Sequence, residues 1–322
     1  MAQMNAAVVT SFDEPPHYQQ IEVPQPTTPD EMLVDVLAVG LHPRARSGAA
    51  GVHYTSTGTL PMVPGIDGVG RRPDGKRIYF VARDDVIGTI AEKAVIDTRR
   101  AIELPNDVDV AKVAAAMNPA MSAWVALRRR VLIESGQSVL VLGATGNAGA
   151  MAVQVAKRLG AGRVIGAGRD LDRLNGLTSV GADDVVQFTA DIDATGAALG
   201  RVAADVDIVI DYLWGKPAEQ AMMALLTARS DPSRAMNWIQ IGAIAGPTIE
   251  LPSVALRSTN LRLQGNGQGA VSTSVYLAEL PSLIDEINAG TIAVTPNTVP
   301  LHDVESIWAQ ADPPGQRTVL VP

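Results

Sequence analysis

One stretch constrains this chain more than any other: Ser138 to Arg169, SVLVLGATGNAGAMAVQVAKRLGAGRVIGAGR. Val139–Leu142 is a short apolar run, the pattern of a strand buried on both faces. Gly143, Gly146 and Gly149 follow. Ala150 to Leu159 then repeats apolar residues at helical spacing, and Gly160 and Gly162 stop the helix. Val164–Ala167 reads as the next strand. Strand, glycine turn, helix and strand within about thirty residues make the unit that holds a dinucleotide. Each glycine has its own duty: a tight turn, close approach of backbone to a pyrophosphate, or close packing of helix on strand. The helix N-terminus offers N–H groups and partial positive charge to the phosphates. Ala144, Thr145, Gly146, Asn147, Ala148 and Gly149 are therefore the expected phosphate-binding turn.

The end of the second strand speaks to the choice of dinucleotide. An acidic residue roughly 20 residues past the glycines binds the ribose 2′-hydroxyl of NAD. This chain has Gly166-Ala167-Gly168-Arg169 there, with Arg173 one turn further on. A planar guanidinium donates two hydrogen bonds at once and suits a 2′-phosphate. A solvated arginine at a helix start is the plainer alternative for Arg169. The expectation is NADP(H) rather than NAD, with Gly168, Arg169 and Arg173 at the ribose end.

Composition sets the outer limits. At 322 residues the chain is long enough for two domains. With 47% hydrophobic and 19% charged residues it is globular rather than disordered. A net charge of −8 argues against nucleic acid or an anionic membrane as the main partner. There is no cysteine, which removes disulfides, thiolate chemistry and Cys-based metal sites together. The opening MAQMNAAVVTSFDEPP does not read as a signal peptide. The uncharged run Ser138–Ala156 is the nucleotide motif rather than a membrane span. A soluble, cytoplasmic protein is expected.

Along the chain, Asn5–Val9, Glu31–Val39, Lys76–Val81 and Gly88–Ile96 read as strands, with residues 40–76 between them rich in loops. This is the pattern of a compact β-barrel-like domain. After Pro105, Asp109–Met117 and Ser122–Arg130 read as two helices. Strands then alternate with helices: Val139–Leu142, Val164–Ala167 and Asp184–Phe188, followed by Val206–Ile210, Trp238–Ile241 and Leu261–Gln264. Six strands in two halves predict a doubly wound parallel sheet. A helix over Ser274–Asn288 and strands near Thr298–Val299 and Thr318–Val321 return the chain to the first domain. The expected division is 1–118 with 267–322 for the barrel-like domain, and 119–266 for the nucleotide domain.

The ordered set AVGLHP, PGIDGVG, GTIAEKAV, NPAMSAW, GATGNAG with AVQVAKRLGA, VGADDVVQF and IQIGA resembles the medium-chain dehydrogenase/reductase superfamily, zinc-free quinone oxidoreductase branch. The resemblance covers nearly the whole chain. It implies an α/β protein with a GroES-like β-barrel catalytic domain built from both chain ends and a Rossmann domain between. It also implies an active-site cleft at their junction, and commonly a homodimer that pairs through the edge strand Leu261–Gln264. Zinc-dependent relatives hold their catalytic metal with Cys, His and Cys at positions that read His42, Ile66 and Asn118 here. One possible ligand of three remains, where tetrahedral zinc needs three protein groups and a water. No metal is expected.

Without a metal to polarise a carbonyl, the easier task is hydride delivery to an electron-poor carbon, as in a quinone or an α,β-unsaturated carbonyl. A proton must then reach the acceptor. In enoyl-reductase relatives a tyrosine supplies it; His53 takes that place here, with Tyr54 adjacent, and solvent is the alternative. By the resemblance His42 lines the nicotinamide pocket, unless it is a loop histidine bonded to backbone. Asn118 orients substrate or caps a turn. Gly242 and Ala243 close a strand where backbone meets the nicotinamide, and Ser122 reaches a phosphate. Trp214 shapes the adenine or substrate side or, more simply, packs under a loop. The leading function is an NADPH-dependent quinone or enone reductase. The alternatives are a trans-acting enoyl-thioester reductase and a non-catalytic NADPH-binding sensor or structural protein.

Overall fold

The structure is a computed structural model that describes residues 2–82, 87–267, 269–313 and 315–322. It divides into two compact units, Met1–Asn118 with Leu280–Pro322, and Pro119–Glu279. From the N-terminus, β1 (Gln3–Val8), β2 (His17–Glu22) and β3 (Glu31–Gly40) lead into helix α1 (Pro43–Ala49). Strands β4 (Asp67–Arg71), β5 (Arg77–Val81), β6 (Lys93–Asp97) and β7 (Ala101–Glu103) follow, then the long helix α2 (Val110–Val125). Next come β8 (Ser138–Leu142), α3 (Asn147–Arg158), β9 (Arg163–Gly168), α4 (Leu171–Gly176) and β10 (Asp184–Gln187). After them run α5 (Ile192–Ala203), β11 (Ile208–Asp211), α6 (Gly215–Ala228), β12 (Met236–Gln240), α7 (Ser253–Arg257) and β13 (Leu261–Gly265). Helix α8 (Thr273–Asn288), β14 (Thr295–Pro300), α9 (Val304–Ile307) and β15 (Gln316–Val321) complete the chain.

In the second unit six strands pair in the order β10-β9-β8-β11-β12-β13, every pair parallel. This is the doubly wound sheet, and its order reverses between β8 and β11. Its central strands are continuous apolar runs because both faces are covered: Val139, Leu140, Val141 and Leu142 have no exposed surface. Leu142 pairs level with Ala167 on one side and Asp211 on the other, so three strands end side by side. Ligands of such sheets bind outside these carboxyl ends at the point of reversal.

The first unit is a separate sheet domain. Its main sheet runs β14-β15-β3-β4-β5-β7, with β6 also on β3, and β1 and β2 form their own antiparallel pair. The C-terminal strand β15 pairs antiparallel with β3, Leu320 opposite Val39, which ties the last residues into the main sheet of this unit. Val34, Val36, Val39, Leu41, Ile78, Phe80 and Ile96 fill its core.

Three expectations need correcting here. The second boundary falls at Glu279/Leu280 within α8, not at 266/267. Residues 110–125 form one helix rather than two separated at Pro119. Proline removes one helical bond, but Ala114 to Met117, Ala120, Met121 and Ala123 to Val125 are all buried, and that burial outweighs the local loss. The helical stretch Val110–Arg130 is apolar enough by length and composition to cross a membrane, yet 72% of its apolar window is buried, as in the core helix of a packed protein. Finally, the loop-rich residues 40–76 hold α1 and β4. Strand β4 is hidden in the sequence because Gly68 and Gly70 replace its apolar alternation. A Cβ on Gly70 would stand 3.0 Å from both the Asp35 carbonyl and the Phe80 ring.

Candidate functional site

The glycine turn leaves β8 with Gly143 at φ +83°, a conformation that costs a side-chain-bearing residue energy and glycine almost nothing. The amides of Gly143 and Ala144 both donate to the Ala167 carbonyl at 2.9 Å, which stitches the turn to the end of β9. At Gly149 a Cβ would lie 2.2 Å from the Gly143 carbonyl oxygen, so helix α3 can approach the turn only because that residue has no side chain. At Gly168 a Cβ would come within 2.8 Å of the Thr145 side chain. Gly146 differs. It is exposed, extended at φ −80°, and a Cβ there would meet only the Gly143 oxygen at 3.5 Å. It is the N-cap of α3 and, as a glycine, offers that helix end no side-chain cap. Asn147 and Ala148 form the first turn, half-buried. An uncapped helix N-terminus bordered by a bare, exposed glycine fits a bound phosphate.

Past β9, Arg169 is exposed and its carbonyl accepts from Gln187 Nε2 at 3.1 Å. The Arg173 guanidinium reaches back to the Thr145 carbonyl, 3.4 Å away. Asp170, the acidic group nearest the end of this strand, caps α4 by accepting from the Arg173 amide at 3.0 Å. Its carboxylate is thus used inside the chain, where it also pairs with the Arg173 guanidinium at 3.4 Å.

The loops after β11 and β12 are fixed from beneath. Asp211, fully buried, accepts from the amides of Leu213 and Trp214 at 2.8 and 3.0 Å and from Trp238 Nε1 at 3.0 Å. Burial pushes its carboxyl above the usual range, against these three hydrogen bonds. Trp214 adopts φ +51°, strained for a bulky residue, and packs on the unit's apolar core as its simpler reading has it. The Gly242 amide donates to the Asp211 carbonyl at 3.1 Å, and a Cβ on Gly242 would stand 2.6 Å from the Tyr212 oxygen. Ala243 beside it is exposed. Ser122 donates to the Pro119 carbonyl at 2.9 Å and lies 2.8 Å from the Tyr212 hydroxyl. Its one hydrogen is therefore used inside the domain rather than offered to a phosphate.

In the first unit His42 is the N-cap of α1, 2% exposed, with Nε2 2.9 Å from Asp67 Oδ1. The pair lacks the alignment of a hydrogen bond, and neither ring nitrogen has such a partner among the described residues. Its backbone carbonyl accepts from the Ala45 and Arg46 amides, at 2.9 and 3.2 Å, but its ring bonds to no backbone among the described residues. Burial, then the charges of Arg317, Arg44 and Arg46, hold the imidazole well below its usual pKa and so neutral. His53 Nδ1 lies 2.9 Å from Thr55 Oγ1 and accepts from the Thr55 amide at 3.2 Å. Its ring packs on that of Tyr54, centroids 4.3 Å apart, and Tyr54 is 71% exposed. Asn118 lies inside α2, half-buried, so it caps no turn.

No protein-family model matches the chain. It is 30% identical to a probable NADPH-dependent quinone reductase of Emericella nidulans, over 99% of this chain and all of that one. The chain belongs to the medium-chain dehydrogenase/reductase superfamily, in its zinc-free quinone oxidoreductase branch. A quinone oxidoreductase of Lama guanicoe is 29% identical over 65% of the chain and 66% of its own length. The fold agrees: the quinone oxidoreductase of Thermus thermophilus superposes with a TM-score of 0.79 at 22% identity, covering 99% of this chain and all of that one.

Seen as a member of this superfamily, the chain carries polar groups that its sequence alone does not announce. Asp67, Tyr79 and Arg317 gather around His42, drawn from β4, β5 and β15. Asp67 sits in PGIDGVG, where an aspartate between glycines reads as a turn residue. Only the pairing of the strands shows that its carboxyl is 2% exposed and faces an imidazole.

Proposed function

We propose that this protein is an NADPH-dependent oxidoreductase that delivers hydride to a quinone or an α,β-unsaturated carbonyl without a metal. The observation that carries the reading is the uncapped α3 N-terminus behind an exposed Gly146, in a chain related over its full length to an NADPH-dependent quinone reductase. When bound, NADPH supplies the hydride and its electron pair. The chain's part is to hold that group, orient it and manage charge and protons on the acceptor. The turn from Ala144 to Gly149 meets the pyrophosphate, with the first-turn amides of Asn147 and Ala148 as donors. Arg169 and Arg173 meet the 2′-phosphate, where bidentate guanidinium contacts separate NADPH from NADH. Backbone at Gly242 and Ala243 meets the nicotinamide end.

The proposed acceptor-side groups are His42, with His53, Tyr54 and Asn118. Neutral His42 keeps one ring N–H to donate and one ring nitrogen to accept. The same reading includes a homodimer joined through the edge strand β13 and a cytoplasmic location. The edge position of β13 supports the dimer: it pairs with β12 on one side and with no strand on the other among the described residues.

The test is NADPH oxidation by metal-free protein with 1,4-benzoquinone and with 2-cyclohexen-1-one. Turnover with either acceptor, unchanged by chelator, is expected. Dependence on added zinc, or tight NADPH binding with no turnover on any acceptor, contradicts it.

A further inference from the structure

The first unit buries a set of ionisable groups that hydride transfer alone leaves without a task. Asp67 opens β4 and Tyr79 lies on the neighbouring β5. The Tyr79 hydroxyl donates to Asp67 Oδ2 at 2.6 Å, and Oδ1 faces His42 Nε2 at 2.9 Å. Arg317, 3% exposed, donates to the Leu41 carbonyl at 3.1 Å and pairs with Asp312 at 3.2 Å. Arg46 donates to the Gln310 carbonyl, and Arg44 to Thr55 Oγ1. A phenol, a carboxyl and an imidazole thus stand in series, and the series ends at His42 Nδ1, buried and without a hydrogen-bond partner among the described residues.

A carboxyl buried for structure alone has both oxygens satisfied, because an unmade hydrogen bond in the interior is costly. Here one oxygen is satisfied by Tyr79 and the other faces a ring nitrogen off the hydrogen-bond line. Such contacts are often poorly aligned without substrate and tighten in the complex. Because Tyr79 donates to Oδ2, an acid hydrogen on Asp67 sits on Oδ1, toward His42.

We propose that Asp67 is a positioning residue for proton delivery: it sets the tautomer of His42 and returns to it the proton that Nδ1 gives to the acceptor's oxygen. The inference rests on the reductase reading above. The step delivers one proton to the acceptor through two linked proton transfers and moves no further electrons to it; the electron pair has already come from NADPH and left negative charge on the acceptor's oxygen. The N–H bond at Nδ1 breaks as the acceptor's O–H bond forms. At Nε2 an N–H bond forms as the Oδ1–H bond of Asp67 breaks. What remains is a neutral imidazole of the opposite tautomer and a carboxylate beside Tyr79 and Arg317. Solvent returns one proton to reset the pair.

The charges around the pair suit this exchange. Burial pushes the Asp67 carboxyl up to about 7, against the Tyr79 hydrogen bond and the Arg317 charge. Burial and the three arginines keep His42 from becoming a cation. The donor-ready state carries hydrogen on Asp67 and on Nδ1, and it is lost as pH rises through about 7.

The experiment follows the imidazole directly. Long-range proton–nitrogen spectra of 15N-labelled protein, with the His42 signals assigned among the four histidines by comparison with His42→Gln, report which nitrogen carries the hydrogen. In the wild type the hydrogen is expected to move from Nδ1 to Nε2 with a midpoint near 7. Tyr79→Phe removes a bond that favours the carboxylate and moves that midpoint upward. Asp67→Asn holds the hydrogen on Nδ1 throughout. It also lowers kcat with 1,4-benzoquinone on the order of 10²-fold, abolishes the pH dependence near 7 and leaves the KM for NADPH unchanged. A His42 tautomer that does not change with pH in the wild type overturns the proposal. So does an Asp67→Asn variant with wild-type kcat and pH profile. A wild type that switches tautomer yet turns over no acceptor overturns the assigned reaction and retains the control of His42 by Asp67.

Discussion

Two glycines three residues apart separate the needs of folding from those of binding. A methyl group at Gly149 would stand 2.2 Å from a backbone oxygen that cannot move aside, so Gly149→Ala should cost about 1–3 kcal/mol in thermal or denaturant unfolding. The same methyl at Gly146 finds 3.5 Å of room and an ordinary φ. Gly146→Ala should therefore melt like the wild type yet lose NADPH affinity by about tenfold or more, on the order of 1.4 kcal/mol. Equal NADPH affinity in Gly146→Ala and wild type would remove the phosphate from that turn. The arginines separate the two cofactors. Arg169→Ala and Arg173→Ala should each weaken NADPH by about tenfold and leave NADH nearly unchanged, because only one of the two carries the phosphate they meet. Equal losses for both cofactors in a fluorescence titration contradict that assignment. The glycine turn is legible in the sequence because its packing is local. Asp67 is not, since its meaning depends on His42, brought beside it only when β3 pairs with β4.

At the scale of elements, the turn after β11 shows a buried acid doing structural work. Asp211 holds two amides of a strained turn and the indole of Trp238, whose ring has no exposed surface. Asp211→Ala should cost about 1–3 kcal/mol in unfolding, from the indole N–H left unsatisfied alone. It should also weaken NADPH binding, since the amides of Ile241 and Gly242 hang from the carbonyl of the same residue. Unchanged stability would contradict the account of that turn. The central parallel strands are readable because burial on both faces makes runs such as Val139–Leu142 and Ile208–Ile210 unbroken and apolar. Strand β4 is not, because two glycines that admit Asp35, Ala38 and Phe80 erase its alternation. Nor is the continuity of α2 through Pro119, where burial overrides a local helix breaker.

For the whole molecule, the division is between a parallel sheet that presents the glycine turn at its carboxyl ends and a sheet domain that buries His42 beside Asp67. The chain mass is 33.7 kDa, so a dimer predicts twice that by light scattering. Leu263, 37% exposed on the edge strand β13, should return the protein to a monomer when replaced by lysine, because like charges then oppose across a two-fold edge pairing. A wild type at the single-chain mass contradicts the dimer without touching the cofactor reading. That reading meets its most direct test in calorimetric titration of metal-free wild-type protein with NADPH and, separately, NADH. One NADPH bound per chain, more tightly than NADH, is expected; no binding heat, or equal affinity for the two, overturns the assignment.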